Sequence, residues 1–346
     1  MSDLSEQRGA DEPQSVANLE WALRRVEEWT HATATLIDAF QTPARLAVVH
    51  RLTTSIDGVP RVFYLKEYLA GSIEDEQEFW PNLKRLQSAS AAFAGNPHLA
   101  PLEIVAIDET RRLLLTAAVE GSTIAALHHG WIAPAVRLPD IISGWLGAGR
   151  WLRTLINAIP SYESFDRAPF LLGFTRQRLE WWVRVDTAAV PLAAKVSVAL
   201  DRLERYFSNR AVQLVACHGD VSAHNVVVGE RVGLIDIDDF RFELPGLDVS
   251  QARIEIAEFS RIARVLRFPP LRLAAERAFR LGYGEPSPTG PELWLPHTRN
   301  LVVRVLTLAR KERGLSPSRL NATLSYRWAI RELRMTAAEV LNSGVP

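Results

Sequence analysis

Between Cys217 and Phe240 the chain reads CHGDVSAHNVVVGERVGLIDIDDF, which sets a carboxylate at Asp220, an amide at Asn225 and a second carboxylate at Asp236 on one short stretch. Val226 to Val228 and Val232 to Ile237 are β-branched apolar runs separated by Gly229, Glu230 and Arg231, the pattern of a short antiparallel hairpin with a glycine-containing turn. Folding that hairpin about Glu230 brings Asn225 opposite Ile235 and Asp236. An amide oxygen and a carboxylate then converge at its mouth. Hard oxygen ligands of this kind suit Mg²⁺, which keeps several waters and draws few protein groups besides substrate phosphates. Asn225 and Asp236 are the expected metal ligands.

Asp220 precedes Asn225 by five residues, the offset between base and metal-binding Asn in the protein-kinase catalytic loop H-R-D-L-x-x-x-N, where the aspartate accepts the proton of the attacking hydroxyl. Here Gly219 stands in place of the arginine, and no D-F-G or A-P-E follows. Control by phosphorylation through that arginine is not expected. The competing reading is a polar hairpin in an unrelated α/β protein, its aspartates serving as turn formers.

The run HGD-x4-N followed by I-D-x-x-D resembles the aminoglycoside phosphotransferase and choline kinase family, whose two-lobed fold is related to protein kinases. The resemblance implies an α+β chain with a small antiparallel-sheet N-lobe and a mainly helical C-lobe. It implies Asp220 as catalytic base, Asn225 and Asp236 as Mg²⁺ ligands, and His218 as a brace of the loop. Asp239 and Asp248 would be supporting groups of the active-site framework. His224 falls in a slot that varies in the family and reads as a loop residue.

The nucleotide side follows from the same resemblance. Ala44 to Thr53 and Arg61 to Leu69 read as strands around the turn signal Asp57-Gly58. Lys66, in VFYLKEY, looks like the kinase strand lysine that pairs with nucleotide phosphates; an exposed strand lysine is the plainer alternative. A helix near Ile73 to Ser88 would supply Glu76, with Glu78 as competitor, to orient it, and Pro81 leaves that helix's register open. After strands at Leu102 to Ile107 and Arg112 to Val119, the residues Ala117 to Val119 would form the hinge that bonds the purine, so ATP is expected and GTP is not excluded. TLIDAFQTPARL carries no glycine where a phosphate loop would sit. That departure keeps a regulatory pseudokinase as an alternative.

Three segments are therefore expected: an N-terminal extension and helix over 1–30, a nucleotide-binding lobe over 31–120, and a helical lobe with catalytic loop and acceptor site over 121–346. The first helix is marked by Val16, Leu19, Leu23, Val26 and Trp29 at helical spacing. Further helices are expected near 140–158, 174–185, 190–207, 250–266, 270–281, 291–313 and 317–341, with Gly282 and Gly314 as stops and Ser316-Pro317 as a start.

Composition narrows the class. The 346 residues are 47% hydrophobic, enough for a core in each lobe, and Cys217 is the lone cysteine, so an intramolecular disulfide or a four-cysteine zinc site is excluded. The start MSDLSEQRGADEPQS is polar and acidic where a secretory signal needs a basic start and an apolar core. IISGWLGAGRWLRTLINAI holds Arg150 and Arg153 and reads as a buried amphipathic helix. A cytoplasmic protein with no membrane contact is expected. No nucleic-acid motif is recognisable, and nothing in the sequence sets the oligomeric state.

The formal net charge is zero, yet residues 251–346 hold 16 Arg and Lys against 8 Glu and no Asp, a net of +8, leaving −8 for residues 1–250. A polycationic aminoglycoside or choline would call for carboxylates or an aromatic cage. The expected reaction is transfer of the γ-phosphate of ATP to a hydroxyl of a neutral or anionic sugar-like metabolite, with an aminoglycoside or choline-type kinase as the alternative. Many of these arginines, including Arg304 and Arg313 beside Lys311, can equally be solvated on outer helix faces. Trp181, Trp182 and Trp294 default to packing, and neighbours on a helix do not share a face.

Overall fold

The computed structural model describes residues 12–44, 46–73, 76–128, 137–265, 270–311 and 317–345. The first eleven residues, the expected stop at Gly314, the start at Ser316, and Arg313 lie outside them. The chain forms two compact units. One comprises Met1–Ala94 with Pro101–Glu120; the other comprises Gly95–Ala100 with Gly121–Pro346.

The first unit is a five-stranded antiparallel sheet in the order β1-β2-β3-β5-β4, built from β1 (Ala34–Pro43), β2 (Ala47–Ile56), β3 (Val59–Tyr68), β4 (Ile104–Asp108) and β5 (Leu113–Ala117). The β2–β3 turn places Asp57 at φ 50° and Gly58 at φ 81°, the paired positive values of a primed hairpin turn, so the Asp-Gly signal sets the register Ile56↔Val59. Alternation along β3 separates two faces. Phe63 and Leu65 point into a core with Trp21, Ala22 and Val26 of α1 (Glu12–Thr30), and Phe63 meets Trp29 edge to face. Tyr68 lies on the other face, against Phe79 and Trp80 of α2 (Glu76–Ala89). Lys66 shares the Tyr68 face by the two-residue period of the strand. Pro81 is accommodated inside α2, where Trp80, Leu83 and Leu86 are buried.

In the second unit a two-residue β6 (Ser122–Thr123) joins the α3 turn (Ile124–Leu127), which is capped by Thr123 Oγ1 accepting from Ala126 N. The helices α4 (Leu138–Ala158), α5 (Arg167–Val185) and α6 (Val190–Phe207) follow. Next come β8 (Val212–Cys217), β9 (Val226–Val228), β10 (Val232–Leu234) and β11 (Arg241–Glu243), with β7 (Tyr162–Ser164) paired to β8. The chain closes with α7 (Gly246–Val265), α8 (Pro270–Tyr283), α9 (Pro291–Ala309) and α10 (Pro317–Asn342). Gly95–Ala100 is tied in by Ala100 N donating to Val232 O at 2.8 Å and Trp151 Nε1 donating to Ala100 O at 3.0 Å.

Two boundaries differ from the sequence reading. Helix α5 starts at Arg167 rather than near 174, because Ser164 Oγ accepts from the amides of Asp166 and Arg167, and Pro169 falls in the first turn, where its missing N–H costs nothing. Strand β10 ends at Leu234 rather than Ile237, since Asp236 takes φ 65° and turns the chain out of the ladder. Among the described residues no helix is long and apolar enough to cross a membrane.

Candidate active site

The loop after β8 is held from behind by one face of α7. Asp248, 2% exposed, accepts from His218 N at 2.8 Å through Oδ2 and from Gly219 N at 2.9 Å through Oδ1. One turn on, Gln251 Oε1 accepts from Val221 N at 3.2 Å, and Gln251 Nε2 donates to the carbonyl of Gly219. A further turn on, Glu255 Oε2 accepts from Ala223 N at 3.4 Å. Residues three and four apart share a helix face, so 248, 251 and 255 form one row of acceptors under the loop. Asp248 is surrounded by core, and burial pushes its carboxyl up to about 6, opposed by the two amides.

His218 locks the loop from the other side. Its fully buried ring lies edge to face against Trp151. Nδ1 accepts from Asp220 N at 3.3 Å, which makes Nε2 the protonated nitrogen that donates to Ile235 O at 3.0 Å. Gly219 has φ 87°, and a Cβ there would collide with the Asp239 carbonyl. The arginine of H-R-D has no room at this position.

These restraints bring the sequence candidates together. Asn225 Nδ2 donates to the Asp220 carboxylate at 2.8 Å and to its carbonyl at 3.0 Å, which leaves Asn225 Oδ1 as the remaining side-chain acceptor. Ile235 N donates to Asn225 O at 2.9 Å, and Asp236, the next residue, is near enough for its charge to act on Asp220. Burial pushes Asp220 up to about 6, and the charges of Asp239, Asp236 and Glu255 push the same way, against the Asn225 hydrogen bond. One amide oxygen and one carboxylate beside a crowded group of acids fit a divalent cation that takes its other ligands from phosphate and water. Among the described residues no group of three His, Cys, Asp or Glu could hold a metal alone.

The surrounding residues are mostly structural. Cys217 is buried against the carbonyls of Glu243 and Leu244, and burial pushes its thiol up, out of reach of redox chemistry at neutral pH. His224 is exposed. Asp239 meets Arg241 at 3.7 Å.

In the first unit, Lys66 sits mid-strand opposite Val49 and Leu114. Two of the expected groups there have partners within the unit. Glu76, exposed on the first turn of α2, pairs with Arg112 at 3.1 Å, because the β4–β5 turn presents that guanidinium to the helix start. Ala117 spends its amide on Glu103 O and Ala118 spends its own on Val62 O, both at 2.9 Å, so both amides are engaged within the unit. Val119 follows beyond the end of β5. Sequence reasoning missed Gln251 and Glu255; the available signal was their 3,4 spacing after Asp248.

The profile of a phosphotransferase enzyme family (APH) matches residues 16–285, which include both units' sheets and the braced loop. The chain belongs to this phosphotransferase family. Among solved structures it is similar to a glucosamine kinase, at 14% identity and TM-score 0.56 over 93% of this chain and 84% of that one. It is also similar to an amicoumacin kinase in complex with AMP-PNP, Ca²⁺ and Ami, at 10% identity and TM-score 0.51 over 94% and 96%. Likeness at this identity establishes the shared fold: a phosphotransferase with an antiparallel sheet followed by a helical region. No curated protein sequence matches the chain.

Proposed function

We propose that this phosphotransferase moves the γ-phosphate of ATP, with GTP as the alternative donor, to a hydroxyl of a small sugar-like molecule, neutral or anionic in preference to an aminoglycoside. The observation that carries the reading is the Asn225 amide nitrogen anchored on the Asp220 carboxylate at 2.8 Å, within a loop clamped by Asp248. A base whose orientation is set in advance contributes through alignment, and proton transfer by a positioned side chain is worth roughly 10²–10⁴ in rate.

In this scheme Asp220 accepts the proton of the acceptor hydroxyl as its oxygen bonds to the γ-phosphorus, and the bond to the β,γ-bridging oxygen breaks to release the nucleoside diphosphate. Asn225 Oδ1 and Asp236 would hold Mg²⁺, whose charge neutralises that of the nucleotide phosphates. Lys66 adds a second positive charge, and the backbone at Val119 meets the purine. His218, Asp239 and Asp248 support the loop, and Glu76, with Glu78 as its competitor, is the proposed partner of Lys66. The amicoumacin kinase complex, with AMP-PNP and Ca²⁺ bound, supports use of a nucleotide and a divalent cation. The proposed compartment is the cytoplasm.

The test is nucleoside triphosphate consumption with Mg²⁺, using ATP and GTP against aminoglycosides, choline-like amines, neutral sugars and anionic sugars, with Asp220→Asn beside wild type. Acceptor-stimulated turnover abolished in the variant is expected. Nucleotide binding without Mg²⁺-dependent turnover on any acceptor would instead favour a regulatory module, a reading motivated by the absence of glycine between β1 and β2.

A further inference from the structure

The basic excess of the last third is not one population. Arg304 is bound by Glu258, and Arg272 by Glu276 and Glu332, so these charges are neutralised within the helical packing. Arg299 on α9 is different. Its Nη1 donates to Asn300 Oδ1 at 2.7 Å, its buried Nε has no hydrogen-bond partner, and no carboxylate among the described residues lies within ion-pair distance. Leaving a guanidinium donor unmet in a low-dielectric setting is costly, and the half-buried Arg299 carries a charge that no acid of the packing pairs, so it can be balanced by an anion from outside.

Its neighbours sharpen that. Arg167 donates Nε and Nη2 to Glu243 Oε2 at 2.9 and 2.5 Å, and Arg241 stands 3.9 Å from the same oxygen. Two guanidiniums thus share one buried carboxylate, and Asp239 is engaged by Arg241. Burial and the charges of Arg241 and Arg167 hold Arg299 down to about 10, only partly offset by Glu243 and Asp239. Arg299 and Arg178 flank the Phe174 ring at 5.3 and 4.7 Å, and Arg178 also lies over Trp181 at 4.3 Å. Trp182, by contrast, is buried and donates to Tyr326 Oη at 2.9 Å.

The cluster adjoins the chemistry. Asp239, 3.7 Å from Arg241, has its carbonyl against Gly219 of the catalytic loop, and its charge acts on both Arg299 and Asp220. We propose that Arg299, with Arg241 and Arg178 beside it, is the anion-binding subsite of the acceptor, and that the acceptor is a hydroxy compound carrying a carboxylate or a phosphate. This rests on the kinase reading of the same site. A planar guanidinium suits both oxyanions, and a polycation would be repelled there.

The acceptor assay uses glucose, glucuronate, glucose 6-phosphate and glucosamine on wild type, Arg299→Gln and Asp220→Asn. An anionic sugar should exceed glucose in kcat/KM by roughly 10- to 100-fold, as a charge-assisted hydrogen bond allows, and fall to parity with glucose in Arg299→Gln. The carboxylate and phosphate arms decide which anion is read. Equal or better use of glucose or glucosamine, or a uniform loss across all four in Arg299→Gln, overturns the inference while Asp220-dependent turnover keeps the kinase reading intact. Acceptor turnover that survives Asp220→Asn defeats the kinase reading itself.

A second measurement does not depend on the acceptor. With MgADP saturating, inorganic phosphate or malonate should raise the Tm of wild type and not that of Arg299→Gln; equal shifts, or none, overturn the proposal. Without added anion, Arg299→Gln should melt at or above wild type, since an unmatched buried charge is removed. A drop of several degrees would mark Arg299 as a structural residue and sink the assignment, with Arg299→Lys run alongside to show whether charge alone suffices.

Discussion

From His218 to Asn225 the loop is tied to α7, to the β10 end and to itself, whereas β1 runs from Ala34 to Pro43 as an edge strand with nearly every side chain exposed. Ile37 and Phe40 are 58% and 63% exposed, while Asp248 beneath the loop is 2% exposed. The contrast teaches where this chain spends restraint. A base that must meet a hydroxyl within hydrogen-bond reach needs its backbone held by partners that cannot rearrange, and buried acceptors on a helix provide that. An edge strand closes a sheet and places no side chain against a reacting atom in the same way.

The largest effect expected from breaking the braced side is Asp220→Asn, which should lower kcat by roughly 10²–10⁴. Its Tm should be unchanged or higher, because the charge that burial and neighbouring acids oppose is gone. Steady-state kinetics beside calorimetry checks both. Next comes a matched pair of glycines. Gly219→Ala puts a Cβ into the Asp239 carbonyl at φ 87°, while Gly58→Ala at φ 81° meets open space in the β2–β3 turn. The turn variant should cost about 1–2 kcal/mol in stability and leave kcat alone. The loop variant should cost more and lose most activity; equal effects would erase the contrast.

Asp248→Asn sharpens the comparison without a steric clash. An amide can accept one of the two loop amides and must present its own NH₂ to the other, so about 1–3 kcal/mol of stability and a comparable share of kcat should be lost, with the KM for nucleotide unchanged.

A pH profile probes the same brace more gently. With Asp220 pushed up to about 6, kcat/KM should decline as pH falls through that value, and Asp239→Asn should move the limb to lower pH by removing a like charge. Stability should run oppositely. Asp220 and Asp248 titrate above their unfolded value of 3.8, so the native state holds more protons between about 4 and 6, and stability falls as pH rises through that window. Smallest of all, Ile37→Ser or Phe40→Ser on β1 should shift stability by less than about 0.5 kcal/mol in denaturant titration, and a larger loss would mean that this strand is covered.

Much of the site was legible because it is local. Asp220, Asn225 and Asp236 are joined by a hairpin whose register follows from two valine-rich runs and a short turn, and Asn225 bonds Asp220 across five residues. The turn at Asp57-Gly58 was legible for the same reason. The ion pair of Glu76 was not: it depends on where the β4–β5 turn places Arg112, which no spacing within α2 encodes. The partner of the Ala117 amide was hidden likewise, since it is a carbonyl from the chain before β4.

The sequence by itself determined the residue types of the loop, the hairpin that gathers them and the helical character of the rest, because periodicity and turn chemistry act over a few residues. Only the tertiary structure decided which charges are cancelled. Arg304 and Arg299 lie five positions apart on α9 and look alike in a charge count, yet one is paired with Glu258 while the other lies over Phe174 with the charges of Arg241 and Arg167 acting against its own. Charge pairing depends on distance between elements far apart in the chain, and the strength of each pair depends on how much water the packing has removed.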